Sequence, residues 1–203
     1  MFATDGPLST NDVTAERSAT RLFVGCLFVF LTVHLVLRLA VSPSLHPDDA
    51  DLIVFDQSLA WGYHPQPPLY SWLLRVFTMV FGAGIVSLTL LRTALLAALA
   101  GVSYAAVAEA TSHRRLAALA GASALLIPMA AWHLTTYLTH TLLMSVACVA
   151  TLHAAIRIAR RGRTADYVYL GVACAAGLLG KYTFALFGLA LVGSAVTIPE
   201  LRP

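Results

Sequence analysis

Charged residues are scarce in this sequence: Lys, Arg, Asp and Glu together account for 11% of its 203 residues. Soluble domains average about 25%, so this composition excludes an ordinary soluble domain. The net charge of +3 also excludes the strong basic excess of nucleic-acid-binding domains, and we expect no nucleic-acid partner. With 59% hydrophobic residues and a mean hydropathy of +0.78, the chain is predicted to be an integral membrane protein.

Cysteine is scarce as well. The three cysteines, Cys26, Cys148 and Cys174, all lie inside apolar segments, and none has the spacing of a metal site. We therefore expect no disulfide framework and interpret the three thiols as packing residues. The first 20 residues lack the basic start and small-residue cleavage site of a secretory signal, so the apolar run that follows is predicted to be a retained anchor.

Long apolar runs are what the sequence has instead. A membrane-spanning helix needs about 20 apolar residues. The last of five such regions, the fifth apolar region Tyr167–Val196, is interrupted near Lys181. It therefore forms either one kinked helix or two short helices that meet there. Leu69–Phe81 is too short to span and is predicted to be an interfacial or re-entrant helix. We predict an all-α bundle of about five to six transmembrane helices, with four spans at Leu22–Val41, Ala83–Val107, Leu116–Leu134 and Leu142–Ile158.

Basic residues gather in the loops on one side of this predicted bundle. Short cytoplasmic loops are enriched in Lys and Arg, so we predict that this side, with the N-terminus, is cytoplasmic. The loop after the first span then faces a periplasm or lumen. The arginines concerned are Arg17, Arg21, Arg114, Arg115, Arg157, Arg160, Arg161 and Arg163.

The predicted organisation has three parts. Residues 1–20 form a disordered cytoplasmic tail, and residues 21–199 form the transmembrane module. Within the module, residues 41–82 form an extracytoplasmic loop that carries four aspartates, an unusual concentration of charge in this chain. Residues 200–203 are a truncated end or the start of a missing C-terminal part, which a partner subunit could replace.

Two cations are predicted to lie inside the membrane on the side of the acidic loop. Arg92 is ~12 Å into the second span and Lys181 ~22 Å into the fifth apolar region, at about 1.5 Å per residue. Intramembrane cations cost about 2.5–3.5 kcal/mol on insertion scales and therefore usually face a polar cavity or a partner. The alternative is that Arg92 extends its side chain to the interface and Lys181 caps a helix end. Their shared side favours a site for an anionic ligand.

Several short motifs follow one another along the chain: PDDA at 47–50, LAWGY at 59–63, PPL at 67–69, FG at 81–82, LR at 91–92 and GLLGKYT at 177–183. In this order they resemble the GT-C glycosyltransferases, specifically the protein mannosyltransferase and aminoarabinose transferase group. The resemblance extends over roughly residues 22–198. It implies a polytopic membrane enzyme that moves a sugar from a polyprenyl-phosphate carrier to a lipid, glycan or protein acceptor outside the cytoplasm. The bacterial members of the group imply a bacterial inner membrane as the expected location.

The resemblance also implies roles for residues. Asp48 is the expected catalytic base, which takes the proton of the acceptor hydroxyl in an inverting displacement, and Asp49 is a supporting acid. The cations Arg92 and Lys181 would neutralise the departing lipid phosphate. Further substrate- or phosphate-binding candidates are His140, Tyr63, Gln66 and Tyr182.

Two features depart from the family pattern. Pro65 and Gln66 stand where relatives carry an acid and a histidine, and His140 stands near the position of a common aspartate. His140 is either a proton-handling residue or a bundle histidine with a satisfied ring. The loop aromatics, including Tyr63 and Tyr70, either stack on a sugar or lie at the membrane interface.

Other ligands and another function are also open. No cofactor is expected, although four carboxylates could attract a divalent cation, with His46 and His64 as weak metal candidates. A non-catalytic protein or transporter subunit that binds an anionic or lipid-phosphate ligand is the alternative function. A transporter needs polar residues along both halves of its path, whereas the predicted cytoplasmic halves here are almost entirely apolar, which favours the enzyme.

Overall fold

The computed structural model describes residues 10–41, 44–55, 57–63, 66–126 and 139–197. Within these ranges the regular secondary structure is helical, apart from a single antiparallel bridge between Tyr63 and Gln66. In chain order the helices are α1 (Thr10–Val41), α2 (Pro47–Phe55), α3 (Leu69–Phe81), α4 (Ile85–Thr111), α5 (Arg114–Leu126), α6 (Thr139–Arg161), α7 (Thr164–Gly180) and α8 (Phe184–Thr197).

Three of these helices are long and apolar enough to cross a membrane: α1, α4 and α6. Shorter apolar helices, α3, α7 and α8, accompany them. The predicted all-α integral membrane fold is therefore confirmed, and α3 begins and ends at the residues predicted, Leu69 and Phe81. Of the predicted span Leu116–Leu134, α5 covers the part up to Leu126, and the remainder lies outside the described residues.

The fifth apolar region forms two helices rather than one kinked helix. Helix α7 ends at Gly180, Lys181 adopts extended backbone angles, and α8 starts at Phe184. The ring of Phe184 packs against Gly177 so closely that a Cβ atom there would overlap it. The glycine and the extended lysine together allow the chain to turn back within three residues.

The first helix begins earlier than expected. Residues 10–20, assigned from the sequence to a disordered tail, belong to α1, whereas residues 1–9 lie outside the described residues. Contacts with other helices stabilise this first part of α1. The Glu16 carboxylate accepts the backbone N–H groups of Arg114 and Arg115, which start α5, and the Thr20 hydroxyl lies 2.8 Å from that of Tyr104.

Helix α4 lies at the centre and contacts α1, α3, α5 and α6. Small residues let its neighbours approach closely, as is common in membrane bundles. Ala100 and Ala117 are fully buried, and a Cβ atom at Gly121 would come within 2.6 Å of the Phe23 ring. The close packing of α1, α4 and α5 therefore depends on residues with little or no side chain.

The arginine-rich loops meet at one end of the bundle. Arg160 donates to the Ala110 carbonyl at the end of α4 at 2.6 Å, and Arg161 pairs with Glu109. Arg157 pairs with the buried Asp166 at the start of α7 at 2.6 Å. The structure thus gathers these loops on one side, while the assignment of that side to the cytoplasm stays a prediction.

Candidate functional site

At the opposite end of the bundle, Asp49 and Arg92 form a buried ion pair between α2 and α4. The two residues are 1% and 3% exposed. Arg92 approaches both carboxylate oxygens: its Nη2 contacts Oδ1, and its Nη1 lies 3.4 Å from Oδ2. Pro47 at the first position of α2 has the fixed φ that a helix start requires, and it places Asp49 in the first turn. Arg92 is therefore already neutralised within the protein.

Asp48 has the opposite environment, although it is the next residue along α2. Successive helical residues are rotated by about 100°, so one acid can face the core while its neighbour faces outward. The Asp48 side chain is 67% exposed, and its Oδ2 lies 3.7 Å from Nδ1 of His46. Of the two adjacent acids, Asp48 is the one that a ligand can reach.

Tyr70, near the start of α3, lies beside the guanidinium of Arg92 and is completely buried. Its hydroxyl is also near Thr139, but it makes no hydrogen bond of good geometry among the described residues, and neither does Arg92 Nε. Burial raises the pKa of the Tyr70 phenol, and the nearby Arg92 only partly opposes this. Tyr70 is therefore a neutral phenol that can donate a hydrogen bond.

His140 connects this cluster to the end of α7. Its ring lies 5.0 Å from that of Tyr70 between centroids, and its Nδ1 is 3.3 Å from the Gly180 carbonyl oxygen. A carbonyl can only accept, so Nδ1 carries a proton, and when the ring is neutral Nε2 is its acceptor. The contacts thus place His140 beside Tyr70, two of whose neighbours are Arg92 and Asp49.

Lys181 is next to this group and is partly exposed. Its Nζ donates to the Thr141 hydroxyl at 2.7 Å, one residue after His140. No carboxylate in the described part of the chain is within ion-pairing distance of it. Of the two cations predicted to bind a phosphate, Arg92 has a carboxylate partner, whereas Lys181 has none among the described residues.

The loop candidates Tyr63 and Gln66 are used to shape the loop. The Tyr63 hydroxyl donates to the Ser58 carbonyl at 2.6 Å and accepts the Ala60 N–H at 3.0 Å. The backbones of Tyr63 and Gln66 exchange two hydrogen bonds of 3.0 Å. Tyr63 is buried and its hydroxyl already has two partners within the loop, while a role of Tyr63 or Gln66 in substrate binding stays a prediction. Tyr182, in the turn after Lys181, is 62% exposed.

The metal candidates do not gather into a ligand set within the described ranges. His46 lies near Asp48, while His64 falls outside the described residues. Over the part of the chain that the structure describes, no group of three or more potential ligands from His, Cys, Asp and Glu is present. The expectation of no cofactor stays a prediction, with a divalent cation in this loop as its alternative.

Sequence reasoning missed the central position of Tyr70 and the supporting roles of Thr139 and Thr141. The sequence groups Tyr70 with the aromatics of the acidic loop, which either stack on a sugar or lie at the membrane interface. Position along the chain does not report contacts with helices far away in sequence. Thr139 and Thr141 flank His140 at the start of α6. The sequence signal that could have indicated them is the run of three polar residues, 139–141, at the start of an apolar span.

Comparison with known proteins gives one family match and two curated relatives. Residues 65–202 match the family described as dolichyl-phosphate-mannose-protein mannosyltransferase. The chain is 31% identical over 190 residues to the lipopolysaccharide core galacturonosyltransferase RgtB of Rhizobium johnstonii, covering 91% of this chain and 38% of RgtB. It is 32% identical over 161 residues to RgtA of the same organism, also a lipopolysaccharide core galacturonosyltransferase, covering 79% of this chain and 32% of RgtA.

The chain thus spans about a third of the length of these curated relatives, 38% of RgtB and 32% of RgtA. The match to the family covers α3 to α8, including Arg92, His140 and Lys181, but begins after the acidic pair Asp48 and Asp49. No solved structure matches.

Proposed function

Because the chain belongs to the dolichyl-phosphate-mannose-protein mannosyltransferase family, we propose that it carries the reaction site of a membrane glycosyltransferase. The enzyme would move a sugar from a polyprenyl-phosphate carrier to an acceptor outside the cytoplasm. The family match and the confirmed membrane fold support this proposal. A C-terminal region or partner subunit would complete the enzyme.

The observation that carries the catalytic proposal is the contrast between Asp48 and Asp49. A general base needs access to the acceptor hydroxyl, and Asp48 has it, whereas Asp49 is sequestered by Arg92. Asp48 would take the hydroxyl proton as the acceptor oxygen bonds to the anomeric carbon. The bond from that carbon to the carrier phosphate oxygen breaks, and the phosphate leaves with the electron pair. One such displacement inverts the anomeric configuration.

The leaving phosphate needs a positive charge, because negative charge builds up on it as the glycosidic bond breaks. Lys181 fits this role better than Arg92, because it has a hydroxyl partner but no described carboxylate partner. His140, whose ring faces Tyr70, lies one residue from the lysine's partner Thr141. The Asp49–Arg92 pair would instead hold α2 against α4 and so position Asp48.

The relatives suggest the first substrates to test. Both are described as lipopolysaccharide core galacturonosyltransferases. We therefore propose galacturonic acid as the transferred sugar and the lipopolysaccharide core as the acceptor. Such an acceptor would place the site on the periplasmic face of a bacterial inner membrane, which agrees with the side predicted from the arginine-rich loops.

The test is a transfer assay on the full-length protein in membrane vesicles, with polyprenyl-phosphate galacturonic acid and lipopolysaccharide core. Asp48→Asn should lower turnover by about 10²–10⁴-fold, the usual contribution of a general base, and leave donor binding intact. Asp51→Asn is the matched control, because Asp51 is an exposed acid on the same helix. Unchanged turnover in Asp48→Asn would overturn the assigned role. Reporter fusions that placed residues 42–66 in the cytoplasm would overturn the proposed sidedness.

A further inference from the structure

A groove of about 500 Å³ runs between α1 and α5, in the half of the bundle that contains the arginine-rich loops. It is separate from the acidic loop, and none of its lining residues belongs to the candidate site. The lining is apolar except for Arg115 and the thiol of Cys26. Leu22, Leu119 and Leu126, which border it, are each more than 60% exposed, so the groove is open to its surroundings.

The length of the groove corresponds to one leaflet of a bilayer. Its α1 side extends from Ala19 to Phe30, which is ~16 Å at 1.5 Å per residue. Half of a hydrocarbon core about 30 Å thick is about 15 Å. A single acyl chain could therefore follow the groove from the arginine end towards the bilayer centre.

The charge at one end of the groove has no compensating acid among the residues that the structure describes. Arg115 is part of the lining, and Arg21 borders the adjoining depression, which shares Leu22, Cys26 and Phe30 with the groove. In the described part of the chain neither guanidinium makes an ion pair or a side-chain hydrogen bond. Arg157 and Arg161 at the same end of the bundle do have carboxylate partners.

Glu16, an acid at the same end of α1, does not supply that compensation. Glu16 lies one turn before Ala19, and its carboxylate accepts the backbone N–H groups of Arg114 and Arg115. It therefore occupies the start of α5 and makes no salt bridge with either guanidinium. An anion at this end of the groove would be held by the arginine side chains.

We propose that this groove is a binding site for an anionic phospholipid, with one acyl chain in the groove and the phosphate headgroup between Arg115 and Arg21. A zwitterionic lipid offers the same chains, so the arginines provide the preference for a negatively charged headgroup. An apolar protein segment would fill the groove but would leave the two charges unmatched. The proposal concerns a site outside the sugar-transfer site and does not depend on the proposed activity.

The experiment is native mass spectrometry of the full-length protein, extracted from vesicles that contain equal amounts of phosphatidylglycerol and phosphatidylcholine. The wild type should retain phosphatidylglycerol in preference to phosphatidylcholine. Arg115→Gln should reduce that preference about fivefold, which corresponds to about 1 kcal/mol per arginine near a charged surface. Ala122→Phe, which fills the groove from its α5 wall, should remove both lipids.

Arg163→Gln is the matched control, because Arg163 is an exposed arginine at the same end of the bundle but is not part of the groove. Its lipid preference should equal that of the wild type. Equal retention of the two lipids by the wild type, or an equal loss in both arginine variants, would overturn the proposal. So would a wild type without bound lipid whose groove is covered by a second copy or another segment. If Ala122→Phe fails to fold, the comparison of the two arginine variants still decides the question.

Discussion

Asp49 of α2 and Arg92 of α4, 43 residues apart in sequence, form an ion pair in which both side chains are at least 97% buried. The carboxylate neutralises a cation that would otherwise be isolated among apolar helices, where an unpaired charge is expensive. The same pair fixes the rotation of α2 and thereby turns Asp48 outward. The stability of the acidic loop and the accessibility of the proposed base therefore depend on one interaction.

Removing one partner of this pair should be strongly destabilising. Asp49→Asn leaves a buried guanidinium without a counter-charge, and we expect a loss of about 3–5 kcal/mol in the free energy of unfolding. Asp51→Asn, on the exposed side of the same helix, should change it by less than about 0.5 kcal/mol. Unfolding of the purified protein in detergent would measure both values. Equal stability of the two variants would show that the buried pair does not hold α2.

Removal of the Tyr70 hydroxyl should not destabilise the fold. Among the described residues this buried hydroxyl has no well-formed hydrogen bond, so Tyr70→Phe should delete an unsatisfied polar group and retain the ring that packs on His140. We expect the free energy of unfolding to stay the same or to rise by up to about 1 kcal/mol. The same unfolding measurement applies. A loss of stability above about 1 kcal/mol would indicate that the hydroxyl has a strong partner.

A methyl group at Gly177 should disrupt the turn between α7 and α8. The new Cβ atom would overlap the Phe184 ring, and overpacking of this kind costs about 1–3 kcal/mol. Gly171→Ala on the same helix is the control, because nothing lies within 4 Å of its Cβ position. That control should be neutral or more stable by about 0.5–1 kcal/mol, since alanine favours a helix interior over glycine. The midpoint temperature of thermal unfolding should be lowest for Gly177→Ala, and that of Gly171→Ala should equal or exceed that of the wild type.

Acidification should remove a contribution of Asp166 to stability. Burial raises the pKa of this carboxyl, but hydrogen bonds from Arg157 and from the backbone N–H of Arg163 outweigh burial and hold the pKa below its ordinary value of 3.8. Such a carboxylate stabilises the fold above its unfolded-state pKa, and the contribution is lost as the pH falls through the folded-state pKa. We expect the free energy of unfolding to decrease below about pH 4.

The matched comparison for this pH effect is between two variants. Asp166→Asn should lose part of the acid-induced decrease, and Asp51→Asn should retain it, because the Asp51 side chain is exposed. Unfolding curves recorded from about pH 6 to about pH 3 would supply the data. A wild-type pH dependence in Asp166→Asn would show that the Arg157–Asp166 pair contributes nothing to it.

Much of the fold follows from local sequence. Apolar length predicted α4 and α6, the 13-residue run predicted α3, and the interruption at Lys181 predicted a break that the structure resolves into α7 and α8. Helix α1 begins earlier than the predicted span by about one-third of its length, because residues 10–20 are polar and show no apolar period. Contacts of Glu16 and Thr20 with other helices stabilise this segment, and no local pattern reports such contacts.

The site was predicted as a set of residue types but not as an arrangement. Asp48, Asp49, Arg92, His140 and Lys181 were all identified from the sequence, and the structure brings the last four and Tyr70 into a connected cluster. The pairing of Arg92 with Asp49 and the occupied hydroxyl of Tyr63 were not foreseen. Both depend on which way a side chain points once its helix or loop has packed.

The sequence by itself determined the membrane class, the helical architecture and the position of charged residues along the chain, because hydrophobic length and glycine or lysine interruptions act locally. Only the tertiary structure decided which of two adjacent aspartates is buried and which of the two cations pairs with it. Asp48 and Asp49 have the same chemistry and neighbouring positions. Their difference arises from the rotation of α2 against α4, which is set by the energetic need to pair Arg92 in an apolar interior.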